Sequence, residues 1–327
     1  MKILGVFHAY PPSHGAGAEW MAHSLFRALI EAGHQVRVVL SRDDQVTEGY
    51  QFDGVDVIPY GYKGTLIEQM PWPDVMVTHL ENTPRASIVA RLNGKPVVHL
   101  LHNTFGPTKG WVRTGRPSLL VFNTAWMQAD YHGWLDAEGL RRPPGIVVHP
   151  PVYAADYATT PGDCVTLVNL TEAKGAEVFY GLAERFPKVP FLAVAGGYGE
   201  QIIRRLPNVT HTPNTDNMRD DVYAKTRILL APSSYESFGR AGVEAMHSGI
   251  PVIAHPTPGL IESLGDAGLF ADRGYLYQWQ DALTLLLDGR RWNKASRLAS
   301  ERAAQLDPAP DLARFVAGIE HLQGVRA

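Results

Sequence analysis

Residues 233–254 read SSYESFGRAGVEAMHSGIPVIA, and this stretch decides how the rest of the chain is interpreted. Glu236 and Glu244 stand eight positions apart within it, and Gly239 lies between them. An apolar run, residues 251–254, follows. The pattern is typical of a turn that ends a strand, then a helix, then the next strand. It therefore predicts a βα unit of a parallel sheet, with two carboxylates around the turn.

The bulk properties exclude several classes of protein. The chain has 327 residues, enough for two domains that each bury a core. Its 30 Lys and Arg residues against 33 Asp and Glu residues leave a net charge of −3, which indicates no general affinity for nucleic acid or anionic membranes. Cys164 is the only cysteine, so no disulfide framework is expected, which suits a reducing compartment. No secretory signal or membrane-length apolar run is recognisable, and we expect a cytoplasmic protein without stable membrane insertion.

Short β-rich runs alternate with amphipathic helices along the chain, as in α/β proteins with parallel sheets. The predicted strands are residues 3–7, 36–40, 74–78, 96–101 and 119–123 in the first half, and 164–169, 190–196, 208–212, 227–233 and 251–255 in the second. The predicted helices are residues 18–32, 83–92, 125–138, 175–186, a segment near 239–248, and most of the tail from 274 onward.

A break in this alternation divides the chain. Residues 147–163 are rich in proline and small polar residues, as interdomain linkers are. We therefore predict a first domain over 1–153 and a second over 154–307. A single large doubly wound sheet is the alternative, and the proline-rich break at the midpoint counts against it.

The stretch around Gly239 has the chemistry of a ligand site. In a parallel α/β sheet, ligands bind at the carboxyl ends of the strands, beside helix N-termini whose amides favour a diphosphate. Carboxylates are poor phosphate ligands, but they accept hydrogen bonds from the hydroxyls of a ribose or hexose. These features together indicate a nucleotide sugar. The alternative is a helix start with ordinary acidic residues.

Residues 236–254 resemble the signature of the retaining glycosyltransferases of family 4, an E-S/G-F-G…E-A-M-x-x-G-x-P-V-I-A string. The resemblance implies the GT-B fold, in which two Rossmann-like βα domains face a central cleft. The first domain would then be the acceptor side and the second the nucleotide-sugar-binding side. A C-terminal helix within residues 308–327 would cross back to pack on the first domain.

The same resemblance implies roles for the residues of the motif. Glu244 would hold the donor ribose and Glu236 the transferred sugar. The donor-binding set would also include Ser237, with Phe238 and Gly239 presenting backbone amides.

A second, looser match concerns the donor phosphates. Lys174 and Gly175 resemble the family's phosphate-binding K-G segment, and Lys174 would stabilise charge on the leaving diphosphate. Asn169 occupies the position of the family's arginine, so it would bind phosphate more weakly, or another cation such as Arg240 would substitute.

Two further positions match the family in the first domain. Gly15 and Gly17 resemble its glycine-rich loop over the donor phosphates, and His102 matches a histidine near its reaction centre. A dinucleotide-binding loop is the competing interpretation of the glycines, but Trp20 stands where its third glycine is required.

Residues 105–117, FGPTKGWVRTGRP, carry three cations around one aromatic residue. We interpret Lys109, Trp111, Arg113 and Arg116 as a basic loop that binds an anionic or aromatic acceptor. A flexible, solvated loop without a ligand is the alternative.

No metal or other cofactor is expected. His99 and His102 would point to opposite faces of a strand, and no other carboxylate–histidine cluster has the spacing of metal ligands.

The hypothesis is a metal-independent, retaining transferase that moves a hexose from a nucleoside diphosphate sugar, with UDP or GDP as the nucleotide, to a hydroxyl acceptor. A nucleotide-sugar epimerase or hydrolase of the same fold, and a non-catalytic nucleotide-sugar-binding protein, are the alternatives. The acceptor (small molecule, glycan, protein or modified nucleic acid) and the oligomeric state stay open.

Overall fold

The computed structural model of the chain describes residues 1–13, 16–42, 46–59 and 65–324. It divides into two compact units. The first comprises Met1–Pro151 together with Pro308–Ala327, and the second comprises Val152–Asp307. The first break lies two residues before the predicted boundary at 153, and the second coincides with the predicted boundary at 307.

The predicted strands are found in the structure, with additional short strands in both units. The first unit contains β1 (Lys2–Phe7), β2 (Gln35–Leu40), β3 (Tyr50–Phe52), β4 (Val55–Ile58), β5 (Val75–His79), β6 (Val97–Leu101), β7 (Leu119–Phe122) and β8 (Gly145–Val147). The second contains β9 (Cys164–Val168), β10 (Phe191–Val194), β11 (Val209–Thr212), β12 (Thr226–Ala231), β13 (Val252–Ala254) and β14 (Leu269–Phe270).

Helices connect most of these strands. In chain order they are α1 (Gly17–Glu31), α2 (Thr65–Glu68), α3 (Thr83–Leu92), α4 (Gly106–Gly115), α5 (Ala125–Ala137), α6 (Ala154–Tyr157), α7 (Ala176–Arg185), α8 (Met218–Asp221), α9 (Arg240–Met246), α10 (Pro258–Leu264), α11 (Leu276–Leu287), α12 (Gly289–Gln305) and α13 (Ala309–Glu320). Short 3₁₀ turns occur at Leu80–Asn82, Tyr223–Lys225 and Gly265–Ala267.

The first unit is built on an eight-stranded sheet in the order β3-β4-β2-β1-β5-β6-β7-β8. Every neighbouring pair is parallel except β3 with β4, which form an antiparallel hairpin at one edge. Side chains of β1 alternate between the two faces of the sheet. Ile3 and Phe7 join the cluster that contains α1 and α13, whereas Leu4 and Val6 join the cluster beneath α3. This alternation is the pattern of a sheet covered on both faces.

The second unit is built on a six-stranded, fully parallel sheet in the order β11-β10-β9-β12-β13-β14. Phe191 and Ala193 of β10 point into the cluster formed with α7 and α11, and Leu192 and Val194 point into the cluster formed with α9 and α12. The two units thus have separate hydrophobic cores, and the prediction of two βα domains is confirmed.

The structure differs from the prediction in several elements. Strands β3, β4, β8 and β14 were missed, because each has only two to four residues. The short helices α2, α6, α8 and α10 were not predicted either. The predicted basic loop over 105–117 is wrong, since Gly106–Gly115 form α4.

Within the described residues, no helix is both long enough and apolar enough to cross a bilayer.

Candidate functional site

The motif that opened the sequence analysis lies at the carboxyl edge of the second sheet. The loop after β12, residues 232–239, leads into α9, and the loop after β9, residues 169–175, leads into α7. Strands β9 and β12 are neighbours, so the two loops meet. The amide of Ser234 donates to the carbonyl of Ala173 at 2.8 Å. The edge is the one at which parallel α/β sheets bind ligands.

Lys174 and Glu236 form an ion pair between these two loops. The Ser233 hydroxyl donates to the same carboxylate oxygen of Glu236 at 2.9 Å. Burial lowers the pKa of the Lys174 ammonium, but the charge of Glu236, the hydrogen bond to it and the electrostatic interaction with Tyr198 together more than offset this, and the pKa lies above its ordinary value. The side chains are 23% and 20% exposed, so both charges remain accessible to a ligand.

Two glycines permit the tight approach of these loops. Gly175 has φ +82°, and a Cβ there would lie 2.6 Å from Pro232 at the end of β12. Gly239 has φ +84°, and a Cβ there would lie 2.4 Å from Leu260. Side chains are excluded at both positions by the left-handed backbone and by contact. The glycines of the two matched motifs therefore have structural roles that are independent of any ligand.

Glu244 is buried, with its carboxylate bound inside the second unit. Arg240 Nε donates to Oε1 at 2.7 Å, and the Tyr223 hydroxyl donates to Oε2 at 2.7 Å. Arg240 Nη2 also donates to the hydroxyl of Tyr157 at 2.8 Å. Burial lowers the pKa of Arg240, but the electrostatic interactions and hydrogen bonds with Glu244 and Tyr157 together outweigh it and the pKa is raised, so this guanidinium stays charged. The predicted hydroxyl-binding role of Glu244 stays a prediction, and it has to operate beside these protein partners.

Arg240, the predicted substitute for the missing arginine, is engaged in the same network. Its guanidinium bonds Glu244 and Tyr157, both within the second unit. Its role towards the donor phosphates stays a prediction.

Asn169 is buried and hydrogen-bonded to neighbouring protein groups. It is 6% exposed with φ +70°, and its Oδ1 accepts from the Thr171 amide at 3.3 Å and from Gln201 Nε2 at 3.2 Å. Gln201 in turn accepts from the amides of Leu170 and Gly196. Asn169 thereby organises the loop that carries Lys174, and its own phosphate-binding role stays a prediction.

Two further residues of the motif, Phe238 and Ser237, differ in how deeply they are buried. Phe238 is 2% exposed and belongs to the hydrophobic core, so its side chain anchors the loop and only its backbone is placed for ligand contact. Ser237 is half-buried in the bend between Glu236 and Gly239. Helix α9 has seven residues and begins at Arg240, later than the predicted start at 239.

Arg273 is a cation of this site that sequence reasoning missed. It follows β14, and its guanidinium donates to the carbonyls of Glu172 at 3.0 Å and Ala173 at 3.4 Å. These carbonyls directly precede Lys174. Its amide donates to His255 Nδ1 at 3.2 Å, at the end of β13. No local motif marks Arg273, because its role depends on the neighbouring positions of β12, β13 and β14 in the sheet.

His102 of the first unit lies at the end of β6, half-buried. Its Nε2 is 3.0 Å from Nδ1 of the buried His79, at the end of the neighbouring strand β5. Burial lowers the pKa of His102 to about 4, a shift that a hydrogen bond with Asn123 partly opposes. His102 is therefore a neutral imidazole at pH 7, suited to hydrogen bonding with a hydroxyl. His99 instead bonds Ser87 at 2.8 Å.

The predicted glycine-rich loop is described only in part. Gly15 lies outside the described residues. Gly17 is exposed at the first position of α1, and a Cβ there would meet no described atom within 4 Å.

The cations of residues 105–117 are held on and after α4, and two of them have acidic partners. Lys109 lies 2.5 Å from Asp130, and Arg113 lies 3.4 Å from Glu138. Trp111 is half-buried, and Arg116 is exposed at the helix end. These pairs reduce the positive field expected from a free loop, because Lys109 and Arg113 each face an anion on α5 or just after it.

One cluster has the donor types of a metal site. A nitrogen of His8, a nitrogen of His79 and a carboxylate oxygen of Glu19 all lie within 4.8 Å of one another. The expectation that no such carboxylate–histidine cluster exists is wrong in three dimensions. The sequence contains no signal for it, since the three residues are distributed over 72 positions.

Most of the second unit matches the model of a known protein family. Residues 164–289 match the family model for glycosyl transferases group 1. The match contains both loops of the site, including Lys174 and Glu236.

Curated relatives match shorter segments. The chain is 47% identical over 51 residues to an O-antigen chain mannosyltransferase B of Escherichia coli, covering 16% of this chain and 13% of the relative. It is 32% identical over 146 residues to a D-inositol 3-phosphate glycosyltransferase of Mycobacteroides abscessus, covering 40% of this chain and 33% of the relative. The matched segments thus span a third or less of these relatives.

Solved structures match over nearly the whole chain. HepE of Anabaena, in complex with UDP-glucose, has a TM-score of 0.77 at 20% identity, covering 98% of this chain and 100% of that chain. Sucrose-phosphate synthase of Thermosynechococcus elongatus has a TM-score of 0.78 at 16% identity, covering 98% and 99%. Both are GT-B proteins, and the predicted fold class is confirmed.

Proposed function

We propose, from the match of residues 164–289 to the family of glycosyl transferases group 1 and from the GT-B fold, that the chain transfers a hexose from a nucleoside diphosphate sugar to a hydroxyl acceptor. The observation that carries the proposal is the Lys174–Glu236 pair at the carboxyl edge of the second sheet. It joins a cation suited to phosphate with a carboxylate suited to sugar hydroxyls.

Lys174 is assigned to the leaving diphosphate. Its ammonium is held in the charged form, and a cation fixed at that point stabilises the negative charge that develops as the bond to the sugar breaks. Glu236 is assigned to the hydroxyls of the transferred sugar. The ion pair keeps both side chains in position before the donor binds, which reduces the entropy lost on binding.

Arg273 is assigned the part of the arginine that Asn169 replaces. It contacts the backbone immediately before Lys174, and its guanidinium has five N–H donors, more than its two contacts to the carbonyls of Glu172 and Ala173 require. A guanidinium suits bidentate contact with a phosphate. The donor phosphates would then meet two cations, one from the loop after β9 and one from the loop after β14.

Retention of configuration is part of the proposal. The bond between the anomeric carbon and the phosphate oxygen breaks, and the acceptor oxygen attacks from the same face. The acceptor proton passes to the departing phosphate. This route needs no enzymatic nucleophile, and Glu236, paired with Lys174, is assigned to hydrogen bonding. His102, neutral at pH 7, is assigned to hydrogen bonding a sugar or acceptor hydroxyl.

The donor-phosphate step is proposed to need no metal ion, because Lys174 and Arg273 supply positive charge there. Addition of Mg²⁺ or Mn²⁺ is expected to leave the transfer rate unchanged. A rate that rises with either ion would contradict this part of the proposal.

The nucleotide is proposed to be UDP or GDP. HepE, which shares the fold, has been solved with UDP and with UDP-glucose, which supports a UDP-sugar as the first donor to test.

The acceptor is proposed to contact the first unit at α4, with Lys109, Trp111, Arg113 and Arg116. Phosphorylated polyols belong in the acceptor panel, because one relative is named for an inositol phosphate. A cytoplasmic location stays a prediction.

The test is a thermal-shift panel of UDP-, GDP- and ADP-sugars, followed by anomer-resolved NMR of the product. We expect one nucleotide class to raise the melting temperature and the product to keep the donor's anomeric configuration. Conversion of the donor without acceptor would identify an epimerase or hydrolase. Donor binding without turnover across the acceptor panel would identify a binding protein.

Substitution of Lys109, Arg113 and Arg116 together by Gln tests the acceptor assignment. Acceptor KM is expected to rise while the rate of donor hydrolysis is unchanged. Normal acceptor kinetics would remove α4 from the acceptor site.

A further inference from the structure

The first unit brings together two histidines and a glutamate that lie far apart in the sequence. His8 directly follows β1, His79 ends β5, and Glu19 lies in the first turn of α1. Strands β1 and β5 are neighbours in the sheet, so both histidines lie at its carboxyl edge. Helix α1 follows β1 and brings Glu19 over the same edge.

The geometry of this group is that of an incomplete ligand shell. His8 Nε2 lies 3.2 Å from Glu19 Oε1, and the three donor atoms lie within 4.8 Å of one another. In a tetrahedral zinc site with bonds of about 2.1 Å, ligand atoms are separated by about 3.4 Å. Small rotations of the side chains would therefore close the shell around one ion.

Two buried polar atoms in the group lack a partner. His79 is fully buried and Glu19 is 2% exposed. Among the described residues, His79 Nε2 and Glu19 Oε2 have no hydrogen-bond partner. Leaving a buried polar atom unsatisfied costs about 1–3 kcal/mol, and more for a charged group. Two such atoms in one cluster indicate that something other than protein completes their contacts.

The outer contacts of His79 match those of a metal ligand. Its Nδ1 lies 3.0 Å from His102 Nε2, which leaves Nε2 as the nitrogen available to an ion. Histidines that bind metals commonly use the second ring nitrogen for such a hydrogen bond, which fixes the tautomer and the ring orientation.

We propose that His8, Glu19 and His79 bind one divalent transition-metal ion of the Zn²⁺ class. Two imidazoles and one carboxylate are a ligand set that Zn²⁺ favours, whereas Mg²⁺ and Ca²⁺ prefer oxygen ligands. Three protein ligands leave a fourth position for water. All three ligands belong to the first unit.

The experiment uses the full-length chain. The protein is stripped with a chelator, dialysed, and titrated with ZnCl₂ and CoCl₂. We expect one Zn²⁺ per chain by elemental analysis, retained through gel filtration. Co²⁺ is expected to give the visible absorption of a four-coordinate ion. Because several of the 13 histidines can bind zinc weakly at the surface, stoichiometry and spectrum are read together.

Variants locate the ion. His79→Gln and Glu19→Gln are expected to lower Zn²⁺ affinity by about 10²-fold or more, on the scale of losing one ligand bond. His99→Gln is the matched control, since His99 is also fully buried on a neighbouring strand and bonds Ser87. It is expected to bind Zn²⁺ as the wild type does.

Anomalous diffraction at the zinc edge on wild-type crystals keeps the test independent of variant folding. A peak between His8 and His79 supports the proposal. No bound zinc at micromolar concentration, a peak only at surface histidines, or equal affinity in His79→Gln and the wild type would overturn it. In those cases the group is a hydrogen-bonded cluster that water completes.

Discussion

In the proposed mechanism, Lys174 is the residue on which the chemistry depends most directly. It is the cation nearest to Glu236, and its charge is secured by that carboxylate. A charge that meets the leaving group acts on the transition state more than on the bound donor.

Lys174→Met is therefore expected to lower kcat by about 10²- to 10³-fold, the cost of removing one such stabilising group. The dissociation constant of the donor, measured by calorimetry, should change far less. Lys188→Met, an exposed lysine of the same unit, is the control and should leave both constants unchanged. Equal losses in turnover and donor affinity would reassign Lys174 to ground-state binding.

Variants of Glu244 and Arg240 test whether the Glu244 carboxylate serves both the buried ion pair and a bound ligand. Removing one member leaves the other charge buried without its partner. Glu244→Ala is expected to cost about 3–5 kcal/mol in the free energy of unfolding, measured in urea. The double variant Arg240→Met, Glu244→Leu should cost less than the two single changes together, because no buried charge remains.

The same variants report on the donor. Calorimetry at a temperature where Glu244→Ala is folded should show weaker nucleotide binding if the carboxylate also holds the ribose. Unchanged affinity would mean that Glu244 serves only the interior network with Arg240 and Tyr223.

Among the elements, α13 shows how a helix distant in sequence is fixed to the first unit. The carboxylate of Asp311 accepts from the His149 amide at 2.9 Å and lies 2.7 Å from His149 Nδ1, beside β8. Arg314 donates to the carbonyl of Val147 at 2.8 Å. Burial raises the pKa of Asp311, but the hydrogen bonds from His149 outweigh it, and the pKa lies below its ordinary value.

A depressed carboxyl pKa predicts a specific pH dependence. The contribution of Asp311 is fully present above its unfolded pKa of about 4 and is lost as the pH falls through the lower folded pKa. Asp311→Asn should therefore lower stability by about 1 kcal/mol near neutral pH. The difference from the wild type, followed by thermal unfolding, should shrink towards zero in strong acid. Asp216→Asn, at an exposed position of the second unit, should show no such loss. A difference that persists at every pH would remove the charge of Asp311 from the explanation.

Helix α4 is the element whose form was predicted wrongly. The segment 105–117 contains three glycines and three cations, a composition that is typical of a loop. In the fold, Val112 and Thr108 are buried, and Lys109 and Arg113 have acidic partners on or near α5. Tertiary packing on one face outweighs weak local propensity.

At the scale of the whole molecule, the core of the first unit contains both ends of the chain. Phe315 and Ile319 of α13 pack with Met21 and Leu25 of α1 in one cluster. The second unit has its own clusters, formed entirely by residues of that unit.

Phe315→Ala should thus destabilise the first unit selectively, by about 3–5 kcal/mol. Hydrogen exchange should accelerate in β1 and α1 and remain unchanged in α7 and β10. Phe191→Ala, in the core of the second unit, should give the reverse pattern. Acceleration spread equally over both units in either variant would mean that the units unfold as one.

The local sequence determined most of the fold and the loops after β9 and β12. The predicted strands 36–40 and 227–233 correspond to β2 and β12 with bounds that differ by one or two residues, because a buried parallel strand requires an apolar run. Each loop of the site is marked by adjacent residues, Glu236 to Gly239 in one and Lys174–Gly175 in the other. A turn between strand and helix can be identified from a few adjacent residues.

Only the tertiary structure decided what lies beside those loops. Arg273 reaches the backbone just before Lys174 through the order of strands in the second sheet, and His79 lies near Glu19 because β1 and β5 are neighbours in the first. These contacts join residues that are far apart in the sequence but close together in space. The pairing of distant strands places them together, and no local pattern records that pairing.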